Sequence, residues 1–227
     1  MSVVKAVALE KVYKDKGVPV VAIKDVTFEV EEGEFLAIAG PSGSGKTTLL
    51  NLLGGLDKPT SGTVYLGNIE LGSLNKNQLA EFRLRKIGFI FQAYNLIPVL
   101  TAEENVEFVM MLQGISSSER RKKVRKILEE LGIGDYVHRK PNEMSGGQQQ
   151  RVAVARAIVS EPLMVLADEP TANLDSKTGS MLLDLMADMN KKKGITFIFS
   201  SHDRMVMQRA RRLIILKDGK IVRDEVK

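Results

Sequence analysis

The apolar run Phe35-Leu36-Ala37-Ile38-Ala39 passes directly into Gly40-Pro41-Ser42-Gly43-Ser44-Gly45-Lys46-Thr47, and no other stretch restricts the fold of this chain so sharply. Consecutive apolar residues of this length read as a strand buried on both faces, the pattern of a parallel sheet covered by helices. The residues that follow satisfy G-x-x-x-x-G-K-[ST] in full, and Thr47 opens an apolar, helix-like segment that runs to Gly54. Strand, glycine turn and helix in that order are the context the pattern requires. The glycines let successive N–H groups converge on phosphate oxygens, and the helix N-terminus adds its dipole. Lys46 is then expected to reach the β- and γ-phosphates of a nucleotide, and Thr47 to set its hydroxyl on Mg²⁺.

A second apolar run, Leu163-Met164-Val165-Leu166-Ala167, ends in Asp168-Glu169. Adjacent carboxylates at the end of a buried strand repel one another unless a cation is near. Beside a magnesium nucleotide they have a use: Asp168 holds the metal, and Glu169 polarises the attacking water. By itself an apolar run followed by Asp-Glu is a common way to begin a helix; the phosphate loop is what gives it meaning.

Between these landmarks the chain changes character. Val3 to Leu9, Val20 to Ile23, Val26 to Val30, Thr63 to Leu66 and Ile87 to Phe91 read as strands, and so do Thr196 to Ser200 and Leu213 to Leu216. Lys217-Asp218-Gly219-Lys220 reads as a hairpin turn into Ile221 to Arg223. The middle has helical spacing instead: Ala102 to Leu112, Ser118 to Leu131 with Ser117 or Ser118 as its cap, and Gly147 to Val159. A long helix is expected from about Ser176 to Lys192. An α/β core of about 1–92 and 160–227, interrupted by a helical insert of about 93–159, accounts for this order as a single domain.

Composition narrows the partners. The 227 residues contain no cysteine, which excludes a disulfide framework and a Cys-based metal site or nucleophile. No stretch approaches the ~18–20 apolar residues of a membrane helix, and Met1 to Glu10 does not read as a secretory signal. The net charge of +5 is spread over clusters at Arg120 to Lys126, Lys191 to Lys193 and Arg209 to Arg212. These lack the aromatic interleaving that stacks bases, so no nucleic-acid partner is expected.

Ser145-Gly146-Gly147-Gln148, continued by Gln149-Gln150-Arg151-Val152-Ala153-Val154-Ala155-Arg156-Ala157 and lying ahead of Asp168, resembles the signature motif of the ABC (ATP-binding cassette) family. Other elements match in order. Gln92 is similar to the glutamine that touches Mg²⁺ and the attacking water. Asn173-Leu174-Asp175 resembles the D-loop, His202 the switch histidine on the γ-phosphate, and Tyr13 the aromatic residue that stacks on adenine. Met144 stands where the family usually has Leu, a near-isosteric change.

The resemblance implies an α/β fold: a P-loop NTPase (RecA-like) core with an antiparallel β subdomain and a helical subdomain insert. It implies ATP hydrolysis with Mg²⁺, with Lys46, Gln92, Glu169 and His202 as catalytic residues. Tyr13, Gly40, Pro41, Ser42, Gly43, Ser44, Gly45, Lys46, Thr47, Thr48, Ser145, Gly147 and Asp175 would bind nucleotide, and Thr47, Gln92 and Asp168 would contact the metal. A homodimer closed around ATP follows from the same resemblance, as does a separate integral membrane permease. The chain would then be cytoplasmic, peripheral on the inner face of the cell membrane. The segment Tyr94 to Val106 is similar to the lipoprotein-releasing and macrolide-export branch. Tyr94, Leu96, Ile97, Val99 and Leu100 supply apolar side chains just beyond Gln92, either to the surface that docks the permease or to the packing of the helical subdomain. An alternative is a regulatory ABC ATPase that transmits force through its membrane partner to cell-envelope enzymes without moving a solute. A DNA-repair or translation-type protein ranks last, because this compact cassette has neither long insertions nor a second copy. The substrate is not written in the chain.

Overall fold

The computed structural model describes residues 2–14 and 17–227; Met1, Asp15 and Lys16 lie outside the described residues. In chain order, β1 (Ser2–Tyr13) and β2 (Val20–Glu31) form a long hairpin ahead of β3 (Phe35–Ala39) and α1 (Lys46–Leu53). β4 (Ser61–Leu66) and β5 (Ile69–Glu70) then complete an antiparallel sheet in the order β2-β1-β4-β5. The sequence pattern divides β2 into two strands. It runs as one, with an irregularity at Asp25, whose φ is 50°.

The second sheet carries β6 (Ile87–Ile90), which follows α2 (Lys76–Lys86). The helices α3 (Ala102–Leu112), α4 (Ser117–Glu130) and α5 (Gly146–Ile158) come next, before β7 (Met164–Asp168). α6 (Ser176–Lys193), β8 (Thr196–Ser200), α7 (Arg204–Arg209), β9 (Arg212–Lys217) and β10 (Lys220–Val226) finish the chain. The strand order is β10-β9-β3-β8-β7-β6, parallel throughout except for β10 at its edge.

Two cores explain the unbroken apolar strands. Phe35, Ala37 and Ala39 enter a core shared with α3 to α7, while Leu36 and Ile38 enter the one between the two sheets and α1. Val165 and Ala167 against Met164 and Leu166 repeat the division, as do Phe197 and Phe199 against Ile198. With an apolar layer on each face, a period of two leaves no polar position to interrupt the run.

Helix starts follow local chemistry. Reciprocal capping boxes open α2 (Asn75 with Gln78), α3 (Thr101 with Glu104) and α5 (Ser145 with Gln148). At α4 the expected cap is displaced. Ser116 occupies the N-cap without a side-chain cap bond, and Ser117 and Ser118 lie inside the helix. Met144 is buried in the helical core, which agrees with its reading as a packing substitute for Leu. No helix among the described residues is long and apolar enough to cross a membrane.

Candidate active site

The chemistry-bearing residues gather at the C-terminal ends of the parallel strands, where open α/β sheets bind ligands. β3 delivers the chain into the loop from Gly40 to Gly45. Gly45 has φ 101°, and a Cβ there would stand 2.4 Å from the Ala22 carbonyl oxygen, so only glycine fits the turn into α1. Lys46 folds back over the loop, donating from Nζ to the carbonyls of Gly40 (2.9 Å) and Pro41 (3.0 Å). Its neighbour reaches across the sheet: Thr47 Oγ1 donates to Asp168 Oδ1 at 3.2 Å. Loop and acidic strand end are thereby joined.

Glu169 has left the strand with φ 45°, a left-handed conformation that costs a non-glycine residue about 1–2 kcal/mol. It is held there from three directions. Its N–H donates to Ser200 O (2.8 Å), Ser201 Oγ donates to Oε2 (2.8 Å), and His202 Nδ1 meets Oε1 at 2.7 Å. An ionised carboxylate only accepts, so the proton of that last bond sits on Nδ1. The Glu169 side chain is 16% exposed and that of His202 65%. Asp203 extends the cluster, accepting from the Thr171 hydroxyl at 2.8 Å while its own N–H donates to Ser201 Oγ at 3.1 Å.

Tyr13 ends β1 and is 41% exposed. Its phenol donates to Asp57 Oδ2 (2.8 Å), and Lys11 Nζ lies 4.8 Å from the ring centroid. Burial raises the phenol's titration above its ordinary value and Asp57 adds to this, while the adjacent Thr48 hydroxyl offsets part. The contact with Thr48 sets Tyr13 beside the first turn of α1.

The remaining expected residues form a separate group. Ser145 caps α5, its Oγ accepting from Gln148 N–H at 3.3 Å. Gly147 lies against α6, where a Cβ would come within 2.4 Å of Thr178 Cγ2. Asp175 caps α6 through the N–H groups of Lys177 and Thr178. Among the described residues no hydrogen bond joins Ser145, Gly147 or Asp175 to the phosphate loop. The main-chain oxygen of Gln92 accepts from Asn173 Nδ2 at 2.9 Å, which ties the exit of β6 to the turn before α6.

Three features escape the sequence reading. Ser201 carries no motif of its own, and its adjacency to His202 is the one available cue. Asn105, 1% exposed on α3, binds the 97–101 segment: Oδ1 accepts from Ile97 N–H, and Nδ2 donates to the carbonyls of Ile97, Leu100 and Thr101. Arg156 on α5 donates to the carbonyls of Asn95 (2.5 Å) and Tyr94 (2.9 Å), two residues with φ of 52° and 57°. The cleft between α2–β6 and α3–α5, a cavity of about 660 Å³, is lined by none of Tyr94, Leu96, Ile97, Val99 or Leu100. Leu56, Leu84, Phe89, Phe91, Val109 and Leu112 supply its apolar wall, while Leu96 packs on the helical core.

A parallel sheet that offers a lysine-bearing glycine loop on β3 and an acidic end on β7, with β8 between them, defines a phosphate-loop NTPase core. A sequence profile described as ABC transporter matches residues 23–172. Over 226 residues the chain is 45% identical to the uncharacterised ABC transporter ATP-binding protein MJ0796 of Methanocaldococcus jannaschii, covering 98% of this chain and 96% of that protein. The dimeric, post-hydrolysis structure of MJ0796 with ADP and Pi matches at a TM-score of 0.90 and covers 98% of both chains. Identity is 43% over 213 residues to the lipoprotein-releasing system ATP-binding protein LolD of Legionella pneumophila, 94% of each chain. It is 48% over 203 residues to the macrolide export ATP-binding/permease protein MacB of Hyphomonas neptunium, 89% of this chain but 31% of that one. The chain belongs to the ABC transporter family and is an ABC ATPase cassette, with LolD and MacB ATP-binding proteins among its relatives.

Proposed function

We propose that this chain is the motor subunit of an ABC transporter, closing as a homodimer around two ATP molecules to drive a separate integral membrane permease. The observation that carries the reading is the division of the site. Lys46, Thr47, Asp168, Glu169 and His202 surround the phosphate loop, while Ser145 and Gly147 belong to a group with no bond to it. One chain therefore holds two halves of different chemistry, and a second copy turned to face it would supply the missing donors to each nucleotide. The dimeric state of MJ0796 supports this.

In this reading the loop N–H groups, from Gly40 through Thr48, and Lys46 hold the phosphates, and Tyr13 stacks on the adenine. Glu169 orients the attacking water and takes its proton; His202, clasped to Glu169, contacts the γ-phosphate side. Ser145, Gly147 and Asp175 act on the nucleotide bound by the other copy. The Thr47 hydroxyl and Asp168 carboxylate, 3.2 Å apart, are the hard oxygen donors that suit Mg²⁺. They would hold it together with Gln92, and once bound it would neutralise charge on the phosphates. Residues 93–159 serve as the helical subdomain, whose cleft against the core receives the permease. That partner would keep the chain on the inner, cytoplasmic face of the membrane, with no part for nucleic acid.

Sedimentation of the Glu169→Gln chain tests the dimer. Saturating ATP should shift it from monomer to dimer, and adding Ser145→Arg should prevent the shift. A Glu169→Gln chain that stays monomeric with ATP bound would overturn the reading. Lys46→Ala should abolish ATP binding in a titration while the circular dichroism spectrum stays that of the parent.

A further inference from the structure

β4 leaves β1 at the pair Glu10 and Ser61, and the pairing of β1 with β2 shifts register on both sides of Lys11. Lys11, Val12 and Tyr13 therefore end the strand with one irregular partner in place of two, and such an end frays unless other groups hold it. The loop between α1 and β4 does so. Thr60 N–H donates to Glu10 O (2.8 Å), and Thr60 Oγ1 accepts from Val12 N–H (2.9 Å). Asp57 is used more fully. Its Oδ1 accepts from Lys11 Nζ and from Lys58 N–H, both at 2.7 Å, which leaves Oδ2 to the Tyr13 phenol at 2.8 Å.

These bonds refer the ring to α1. The N–H groups of Leu56 and Asp57 both donate to Asn51 O on that helix, at 2.9 and 3.3 Å. The same helix opens with Lys46 and Thr47. Lys11 braces the carboxylate from the other side: its side chain is 13% exposed, and Nζ donates to Lys58 O (2.8 Å) as well as to Asp57. At 4.8 Å from the ring centroid, that ammonium is also within cation–π range of Tyr13. Tyr13 is too exposed to need this bracing for a place in the core. The network holds a ring that stays open to solvent, and because its one phenolic proton is spent on Asp57, it offers a ligand its π face.

Resting on the reading of Tyr13 as the ring that stacks on adenine, we propose that Asp57, oriented by Lys11, is a positioning residue for the nucleotide base. It ties the stacking ring to the helix that carries the phosphate loop, so the base site and the phosphate site keep a fixed separation before the nucleotide arrives. A ring already held loses little freedom when a base stacks on it, whereas a free tyrosine must be ordered on binding. In this role Asp57 touches neither nucleotide nor metal. It acts through Tyr13 alone.

The test compares, by calorimetric titration of the full chain, the binding of magnesium ADP with that of magnesium pyrophosphate, which has phosphates but no base. Asp57→Ala should raise the ADP dissociation constant about two- to tenfold and leave that of pyrophosphate at the parent's value. Tyr13→Phe, which keeps the ring and loses its bond to Asp57, should shift ADP binding in the same direction. In a Tyr13→Ala background Asp57→Ala should cost nothing further, the mark of an effect that passes through the ring. Should Asp57→Ala lower the unfolding midpoint, the ADP affinity of Tyr13→Phe decides. Weaker ADP binding by Tyr13→Ala with parent-like values for both Asp57→Ala and Tyr13→Phe would overturn the proposal and leave the stacking reading standing. Parent-like binding by Tyr13→Ala would remove the stacking reading, and this proposal with it. Equal losses of ADP and pyrophosphate affinity in Asp57→Ala at an unchanged midpoint would make the residue a support of the phosphate loop and overturn its role at the base.

Discussion

Glu169, Ser201 and His202 owe their meeting to strand register, whereas the 93–101 segment owes its shape to side chains that reach its carbonyls. β7 and β8 pair Asp168 with Ser200, so the next residues on each strand fall side by side as a consequence of the ladder. The 93–101 segment has no ladder. Asn105 grips it at one end, Arg156 at the other, and Gln92 joins it to Asn173. The strand ends inherit the stability of two buried cores, while the segment depends on a few individual residues. A site that must keep its geometry is built the first way, and an element that must respond to a partner is drawn from the less stable parts of a fold.

Glu169→Gln sets the upper bound of this contrast. Turnover should fall about a hundredfold or more with ATP affinity kept, since the water loses its carboxylate partner while the ladder is untouched. Near-normal steady-state phosphate release would show that the register-built cluster is not the catalytic one. Asn105→Leu attacks the other region. It strands the Ile97 N–H and the Leu100 carbonyl, while the Ile97 and Thr101 carbonyls keep backbone donors, at a cost of about 2–4 kcal/mol, which for a chain of this size lowers the unfolding midpoint by roughly 5–12 °C. A midpoint equal to the parent's would mean that the segment does not depend on this residue.

Tyr13→Ala should act on neither framework. Loss of one stacking contact should raise the ATP dissociation constant about tenfold, corresponding to ~1.4 kcal/mol, in a fluorescence titration. The smallest effect belongs to Asp175. The Thr178 hydroxyl, followed by the N–H groups of Thr178 and Lys177, holds its carboxyl below the usual value. A depressed folded value contributes stability that is present above the ordinary carboxylate value of about 3.9 and is lost as pH falls through the folded one. The midpoint of Asp175→Asn should thus lie below the parent's at neutral pH, and the two should converge in strong acid. A gap that is independent of pH would assign the cap to geometry alone.

Much of the ladder-built region was legible. Two unbroken apolar runs, each ending in polar chemistry, suffice to predict parallel strands with the phosphate loop on one and the acid pair on another, because a strand covered on both faces leaves no other reading. α2 was not legible. Lys76 to Lys86 buries only Leu79, so it has no apolar stripe to mark it as a helix. α7 has too few residues for a period to emerge.

The sequence by itself determined which residues can bind phosphate, hold a metal and move a proton, because those capacities belong to the side chains and to the local turn that presents them. It also determined the order of the strands along the chain. The tertiary structure alone decided that Arg156 would close on Tyr94 and Asn95, that Asn105 would template Ile97 to Thr101, and that Phe89 and Phe91 rather than Leu96 would wall the cleft. Those contacts join residues on different elements whose approach is set by how the helices pack on the sheet, and a packing angle leaves no periodic trace in the amino-acid order.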